Sequence, residues 1–287
     1  MQGPPPYWRQ RTDSAFQPDG RKIALTVWGW SWTSEEDAES IAAERLTTAF
    51  ANLHAGAERE NYYPRLPLRE EILREVSSTS GQLLAVVTRN RYGAEVLCTQ
   101  AVVIADVDLP AQRRSRGRLR RIFGSGAEDP ALSPEALALQ RIAAYADRSP
   151  QRGTHVYRTA AGLRVIITGE QVDPSSPAAT DILEQLGTDP VYLRLCAAHG
   201  TYRARLTPKP WRLRPPQQAP TVRWPYGSAE ARRRADAWLK DYSAGSADYA
   251  VCAKIASHGA PATGDQEVVL RLHEDATRVS QSQLPLA

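Results

Sequence analysis

Two aspartates separated by one residue close a short, fully apolar stretch of the sequence. Residues 101–105 are Ala-Val-Val-Ile-Ala, and Asp106 and Asp108 follow. Side chains alternate along a strand, so both carboxylates are expected on one face at the carboxyl end of the strand. Like charges held this close are unfavourable unless a cation lies between them, which indicates Mg²⁺ or Mn²⁺. The alternative is a strand that leaves the core through acidic turn residues.

A hairpin with basic residues follows along the chain. Residues 155–158 and 163–168 have strand composition and flank the turn Thr159-Ala160-Ala161-Gly162. If its basic residues face the aspartate pair, a triphosphate fits between metal and guanidinium. This predicts phosphate or nucleotide binding by His155, Arg158 and Arg164. The alternatives are a surface hairpin with solvated arginines and an ordinary strand histidine at position 155.

A third segment, residues 201–212, alternates cations with aromatic residues. Residues 191–229 contain no Asp or Glu against seven Lys and Arg. Cations in such a stretch grip phosphates, and an aromatic ring stacks on a base. The predicted nucleic-acid contacts are Arg203, Arg205, Lys209, Trp211 and Arg212. The alternative is that Trp211 is a core residue and the arginines pair with acids elsewhere.

The composition of the chain limits the classes of protein to which it can belong. The chain has 287 residues, a net charge of +4 and 42% hydrophobic residues, which exclude a disordered chain. No apolar run approaches the ~20 residues of a membrane helix, and residues 1–6 do not resemble a secretory signal. Three dispersed cysteines argue against a disulfide framework or a zinc ribbon. We therefore expect a cytoplasmic protein without a membrane partner. Motifs of P-loop ATPases, α/β-hydrolases and zincins are absent from the sequence.

The elements that must position these residues are of mixed type. Helical periodicity predicts a helix from Ser34 to His54, and a shorter one is expected from Leu68 to Val76. Further helices are expected after Ser133, after Pro190 and from Ala229. Strands are expected at 83–89, 95–97 and 101–104, the last as a buried central strand, as well as in the hairpin. The predicted fold is α+β: a loose arm at 1–20, one domain at 21–275 and a polar tail at 276–287.

The order of these motifs resembles that of the archaeo-eukaryotic primase superfamily, the primase-polymerases. In that family a strand ends in an hhhDxD metal motif, a strand pair carries a small-x-His motif, and a third acidic motif follows. Asp106 and Asp108 match the first motif, and residues 159–164 resemble the hairpin, with Arg164 at or next to the place of the histidine. Asp189 is the third acid by order, with Asp173 close behind.

The resemblance covers residues 83–212 and implies a fold and an activity. The fold would be an RRM-like palm, with helices packed on an antiparallel or mixed sheet and an N-terminal helical elaboration. The activity would be nucleotidyl transfer on DNA or RNA with two Mg²⁺ or Mn²⁺ ions, for which Asp106, Asp108 and Asp189 would be catalytic. A non-catalytic nucleic-acid-binding protein on the same fold and a GT-A glycosyltransferase using the DxD motif are the alternatives.

Overall fold

The computed structural model describes residues 1–16, 20–54, 67–110 and 132–287. The fold in these ranges is α+β, with antiparallel pairing between all neighbouring named strands. The strands are β1 (Tyr7–Phe16), β2 (Lys22–Ser31), β3 (Glu71–Ser77), β4 (Leu83–Arg89), β5 (Glu95–Thr99), β6 (Val103–Asp108), β7 (Gly153–Thr159), β8 (Gly162–Thr168), β9 (Tyr202–Arg205) and β10 (Cys252–His258). The helices are α1 (Glu35–His54), α2 (Pro134–Arg148), α3 (Pro177–Leu186), α4 (Pro190–His199), α5 (Ala229–Ser246) and α6 (Gly264–Thr277), with a 3₁₀ turn at Pro210–Arg212.

The strands form one two-stranded and two four-stranded sheets. β1 pairs with β2, one larger sheet has the order β3-β4-β5-β9, and the other has the order β10-β7-β8-β6. A single cluster of buried apolar side chains extends over both larger sheets and the helices packed on them. The aspartate-bearing β6 is buried as expected, but it is an edge strand of its sheet, so the prediction of a central strand is wrong.

Helix α4 joins the edge strands β6 and β9 of the two larger sheets. The Tyr192 hydroxyl lies 2.9 Å from the carbonyl oxygens of Ile104 in β6 and Arg203 in β9, and it accepts the Arg203 backbone N–H at 3.1 Å. One turn earlier, the backbone N–H of Asp189 donates to the Asp106 carbonyl oxygen at 2.9 Å. Edge groups that would otherwise be buried without partners are thereby satisfied.

The first fifty residues are more ordered than their composition indicates. β1 occupies residues 7–16 of the predicted loose arm, and Pro4, Pro5 and Trp8 are buried, so that prediction is wrong. Helix α1 packs on the face of β2 that carries Gly29, where an added Cβ would lie 2.1 Å from the Ala38 carbonyl oxygen. Only glycine permits this close approach.

Several predicted elements are confirmed and others are wrong. The helices α1 and α2, the strand β4 and the hairpin of β7 and β8 lie where the sequence placed them. The helix predicted at Leu68–Val76 is instead strand β3, because pairing with β4 outweighs its local helical spacing. The predicted polar tail is packed: Ala287 is 2% exposed and donates its N–H to the Ala250 carbonyl oxygen. The arginine run at 113–121 lies outside the described residues.

No helix in the described ranges is both long and apolar enough to cross a membrane. The three cysteines are free and buried, as their dispersed spacing predicted.

We predict that Tyr192→Phe destabilises the fold by about 1 to 3 kcal/mol, because it leaves buried backbone groups of β6 and β9 without their partner. Equilibrium unfolding in urea measures this. Tyr226→Phe is the matched control, since its hydroxyl contacts only the partly exposed Glu71 carboxylate. Equal loss in both variants would show that the hydroxyl of Tyr192 does not join the two sheets.

Candidate functional site

Three carboxylates converge where β6 meets the beginning of α4. Asp106 is half-buried in β6, and Asp108 is the exposed last residue of the same strand. Asp189 caps α4, its carboxylate accepting the backbone N–H groups of Val191 at 3.1 Å and Tyr192 at 3.2 Å. Partial burial, together with the charges of Asp106 and Asp189, raises the pKa of Asp108. The three acids named from the sequence therefore form one electrostatic cluster.

Four cations surround this acidic cluster, which we define as Asp106, Asp108 and Asp189. The cations are Arg164, Arg205, Lys209 and Arg212. Strand register places Arg164 opposite Asp106, and Lys209 and Arg212 follow β9 at the 3₁₀ turn.

The cations also repel one another. Burial and the neighbouring Arg164 lower the pKa of Arg205 to about 10. Burial, Arg205 and Arg212 lower the pKa of Lys209, while Asp106 and Asp108 act in the opposite direction. The two sides of the site therefore compensate each other only in part, through attraction without ion pairing in the described residues.

Within the described ranges, no ion pair joins the acidic cluster to these four cations. Buried nitrogen atoms of three of them also have no hydrogen-bond partner: Nε of Arg164, Nε of Arg205 and Nη1 of Arg212. Buried donors are normally paired. Buried donors without partners beside carboxylates that form no ion pair in the described residues are typical of a site that receives a charged ligand.

Arg164 is held by the backbone of Arg205 and by His273, a residue that the sequence did not single out. It is 3% exposed, and its Nη1 donates to the Arg205 carbonyl oxygen at 3.0 Å and to His273 Nε2 at 3.1 Å. Burial and the adjacent Arg164 keep the pKa of His273 well below its usual value, so its imidazole is a neutral acceptor. His273 lies on α6, where the sequence contains no recognisable motif, and the tertiary fold brings it to Arg164.

The acidic cluster fits a metal through two of its members. In the part of the chain that the structure describes, no three His, Cys, Asp or Glu side chains are arranged to hold a metal ion. Mg²⁺ is commonly held by only one or two carboxylates together with substrate phosphates. Asp106 and Asp108 supply such a pair, whereas the Asp189 carboxylate is engaged as a helix cap. Asp173, the other candidate for the third acid, is exposed and accepts hydrogen bonds from Ser175 in its own turn.

Two predicted phosphate ligands lie away from the acidic cluster. Arg158 pairs across the sheet with Leu163, on the opposite face from Arg164, and its guanidinium binds Glu135. The expectation that it faces the aspartates is wrong, because strand alternation turns it to the other side. His155 is buried, with its ring nitrogens 3.3 Å from Ser257 Oγ and Thr168 Oγ1. Burial lowers its pKa, and its position is that of an ordinary strand histidine.

The cationic segment divides into a structural and an accessible part. Arg203 is largely buried and makes a two-pronged ion pair with Glu70, at 2.8 Å and 2.7 Å. Contrary to the prediction, it is therefore not available to nucleic acid. Trp211 is 43% exposed and packs edge-on against Tyr92, with ring centroids 5.2 Å apart. Lys209 lies 5.7 Å from the centre of the Trp211 ring. An aromatic surface therefore borders the cations.

Comparisons with known proteins supply no relative: no protein-family model, no curated protein and no solved structure matches this chain.

We predict that Asp108→Asn raises the melting temperature at pH 7. The raised pKa means that the folded chain binds this proton more readily than the unfolded chain, so the ionised carboxylate opposes folding at high pH. The gain should shrink as the pH falls through the raised pKa and disappear below the ordinary aspartate pKa of 3.8, where the wild-type group is protonated in both states. Thermal melting between pH 3 and 8 measures it.

Asp173→Asn is the control of opposite sign. Hydrogen bonds from Ser175 lower the pKa of Asp173, so its charge favours folding at neutral pH and that contribution disappears in acid. A loss of stability in Asp108→Asn at pH 7 would contradict the repulsion inferred within the acidic cluster.

Proposed function

We propose that the protein is a primase-polymerase-like nucleotidyltransferase that uses two divalent metal ions on a nucleic-acid substrate. The observation that carries this proposal is the acidic cluster facing four cations without any ion pair between them in the described residues. A metal-bound nucleotide has the complementary charge pattern, because the metal meets the carboxylates and the phosphates meet the cations. The sequence resemblance points to the same chemistry.

Each side chain has a role that its environment supports. Asp106 and Asp108 would hold Mg²⁺ or Mn²⁺, which when bound neutralises phosphate charge and lowers the pKa of an attacking hydroxyl. Asp189 adds negative charge and fixes β6 through its backbone N–H. Arg205, Lys209 and Arg212 would bind phosphates of the nucleotide, primer or template, and Trp211 would stack on a base.

Arg164 has a supporting role in this arrangement. It is buried, and it holds the backbone of Arg205 rather than reaching into open space. Phosphoryl transfer depends mainly on positioning and charge stabilisation, so a residue that orders the phosphate-binding strand contributes without touching the substrate.

The palm-like fold is part of the proposal. The succession β6, α2, β7, β8 is a βαββ unit of the kind found in RRM-like folds, and it carries the acids on its first strand. β10 completes a four-stranded antiparallel sheet but adds beside β7, leaving β6 at the edge next to β9. The acidic cluster thereby borders β9 of the second sheet, which carries Arg205, and the segment after β9, which carries Lys209 and Arg212.

A non-catalytic nucleic-acid-binding protein is the second candidate. Arg164 stands where the resembling family has a histidine and is buried against His273, which favours a site that has kept its charge but lost a substrate-contacting group. The glycosyltransferase alternative expected a Rossmann-like half with parallel strands, and the pairs of named strands in the described ranges are antiparallel.

We predict Mn²⁺-dependent extension of a labelled primer-template by the wild-type protein, with at least about a hundredfold loss in Asp106→Asn and Asp108→Asn. Asp189→Asn keeps a good helix cap and removes only the charge, so it tests the third acid separately. Asp173→Asn should extend like the wild type. DNA binding without extension would establish the second candidate, and extension that survives in both β6 variants would refute the assignment of the metal ligands.

We predict that Lys209→Gln weakens binding of single-stranded DNA and reduces by about 1 the slope of log K against log salt, since one phosphate contact is lost. Fluorescence anisotropy at several salt concentrations measures this slope. Arg271→Gln is the control, because Arg271 is exposed on α6 and pairs with Glu267. Identical slopes in the two variants would exclude Lys209 from the nucleic-acid surface.

A further inference from the structure

A cavity lies at the opposite end of α4 from the acidic cluster. Asp189 caps the first turn of this ten-residue helix and His199 is its last residue, a separation of about 15 Å. The cavity has a volume of about 440 Å³, within the range of small-molecule sites. Its lining includes Trp30, Trp32, Leu68, Gln100, His199 and Thr201.

The N-terminal segment forms one wall of this cavity, which we name the indole cavity. The Trp32 indole N–H donates to the Gly3 carbonyl oxygen at 2.8 Å, and the Trp8 indole N–H donates to the Pro5 carbonyl oxygen at 2.8 Å. Residues 3–5 are thereby fixed against the rest of the fold. The wall is built by specific hydrogen bonds and does not depend on loose packing of the chain end.

Two buried polar atoms beside the indole cavity have no partner. Thr201 is 4% exposed, and neither its Oγ1 nor Nδ1 of His199 makes a hydrogen bond to any residue that the structure describes. Burial and the nearby Arg203 lower the pKa of His199, so its imidazole is neutral at pH 7. The Gln100 amide N–H donates to the Gly200 carbonyl oxygen at 2.7 Å, which leaves its oxygen as an acceptor. Unsatisfied groups of this kind indicate a polar ligand or ordered water.

The lining selects the chemical class of the ligand. No Lys, Arg, Asp or Glu occurs among the described residues that line the indole cavity, so it does not suit a phosphate or a free cation. Unpartnered polar atoms beside two indoles do not suit a hydrocarbon chain either. A neutral, planar heterocycle that both donates and accepts hydrogen bonds matches the lining.

A cation follows one of the lining residues along the chain, although it is not itself part of the lining. Arg69 follows Leu68, and its guanidinium carbon lies 4.1 Å from the centre of the Trp28 ring. Burial and the proximity of Arg223 lower the pKa of Arg69, so an anion here would relieve repulsion between two cations. A heterocycle in the cavity with an anionic group outside it has the form of a nucleotide.

We propose that the indole cavity binds a nucleobase, with the attached phosphate directed towards Arg69. The inference does not rest on the proposed transferase activity, because none of its residues belongs to the acidic cluster or to the four cations beside it. Two ligands carry such a nucleobase. One is a free mononucleotide, and the other is a single strand that lies along the outside of the protein and places one base in the cavity.

The test is binding of AMP and of a ten-residue oligodeoxyadenylate by isothermal titration calorimetry, with EDTA present to suppress metal-dependent binding. Trp32→Ala should weaken binding between about 5-fold and 150-fold through lost stacking, and Trp32→Phe should lose less. Thr201→Val should weaken it about 2-fold to 12-fold through one lost hydrogen bond. Because the Thr201 hydroxyl has no partner in the fold, this variant should melt no lower than the wild type.

Thr154→Val is the matched control, since Thr154 Oγ1 is likewise buried without a partner but lies in β7. Binding of AMP assigns the cavity to a free nucleotide, and binding of the oligonucleotide alone assigns it to a single strand. The proposal is overturned if neither ligand binds, if Thr201→Val binds like Thr154→Val, or if only N-acetyltryptophanamide binds, which would indicate an aromatic peptide. Primer extension is measured separately on the same variants, so failure here leaves the transferase proposal standing.

Discussion

Repulsion between like charges at the contact between β6 and β9 is the constraint on which the rest of this structure depends. Acids on one strand edge and cations on the other are close enough to shift each other's pKa values, yet no ion pair joins them in the described residues. A folded chain tolerates such an arrangement only if surrounding contacts fix it. The hydrogen bonds of Tyr192 and the backbone bond from Asp189 to Asp106 supply that rigidity.

The same contacts explain why α4 has a central position. Its N-cap, Asp189, lies beside β6, and Tyr192 in its first turn joins the two larger sheets. Its last turn borders the indole cavity. A short helix thereby connects two sites of different character, one charged and one uncharged. Rigid elements hold ligand-binding side chains more accurately than loops do, so both sites share one support.

Local patterns in the sequence predicted the part of the site that depends on strand alternation. The spacing of Asp106 and Asp108 was sufficient to place them on one face of β6. Periodicity and capping residues likewise predicted α1 and α2, with Ser133 as the N-cap. These features depend on neighbours within a few residues, for which the periods of helix and strand are reliable guides.

The sequence did not predict the strands and ion pairs that depend on contacts between distant segments of the chain. The residues of β3 have apolar spacing compatible with a helix, and only the adjacent β4 makes them a strand. Arg158 and Arg203 looked equivalent to Arg164 and Arg205 in the sequence, but Glu135 and Glu70 neutralise the first two. Which arginine finds an acid is decided by tertiary contacts 23 and 133 residues apart in sequence.

The described residues include arginines that an acid neutralises within the fold and cations that form no ion pair. An arginine-rich composition alone indicates little, since most of its charge is compensated within the fold or exposed to solvent. Arg205, Lys209 and Arg212 differ because they remain partly buried, crowd one another and have no acid of their own within the described residues. Burial and mutual repulsion lower the pKa values of Arg205 and Lys209, so keeping these cations together costs stability that the neighbouring carboxylates offset only in part.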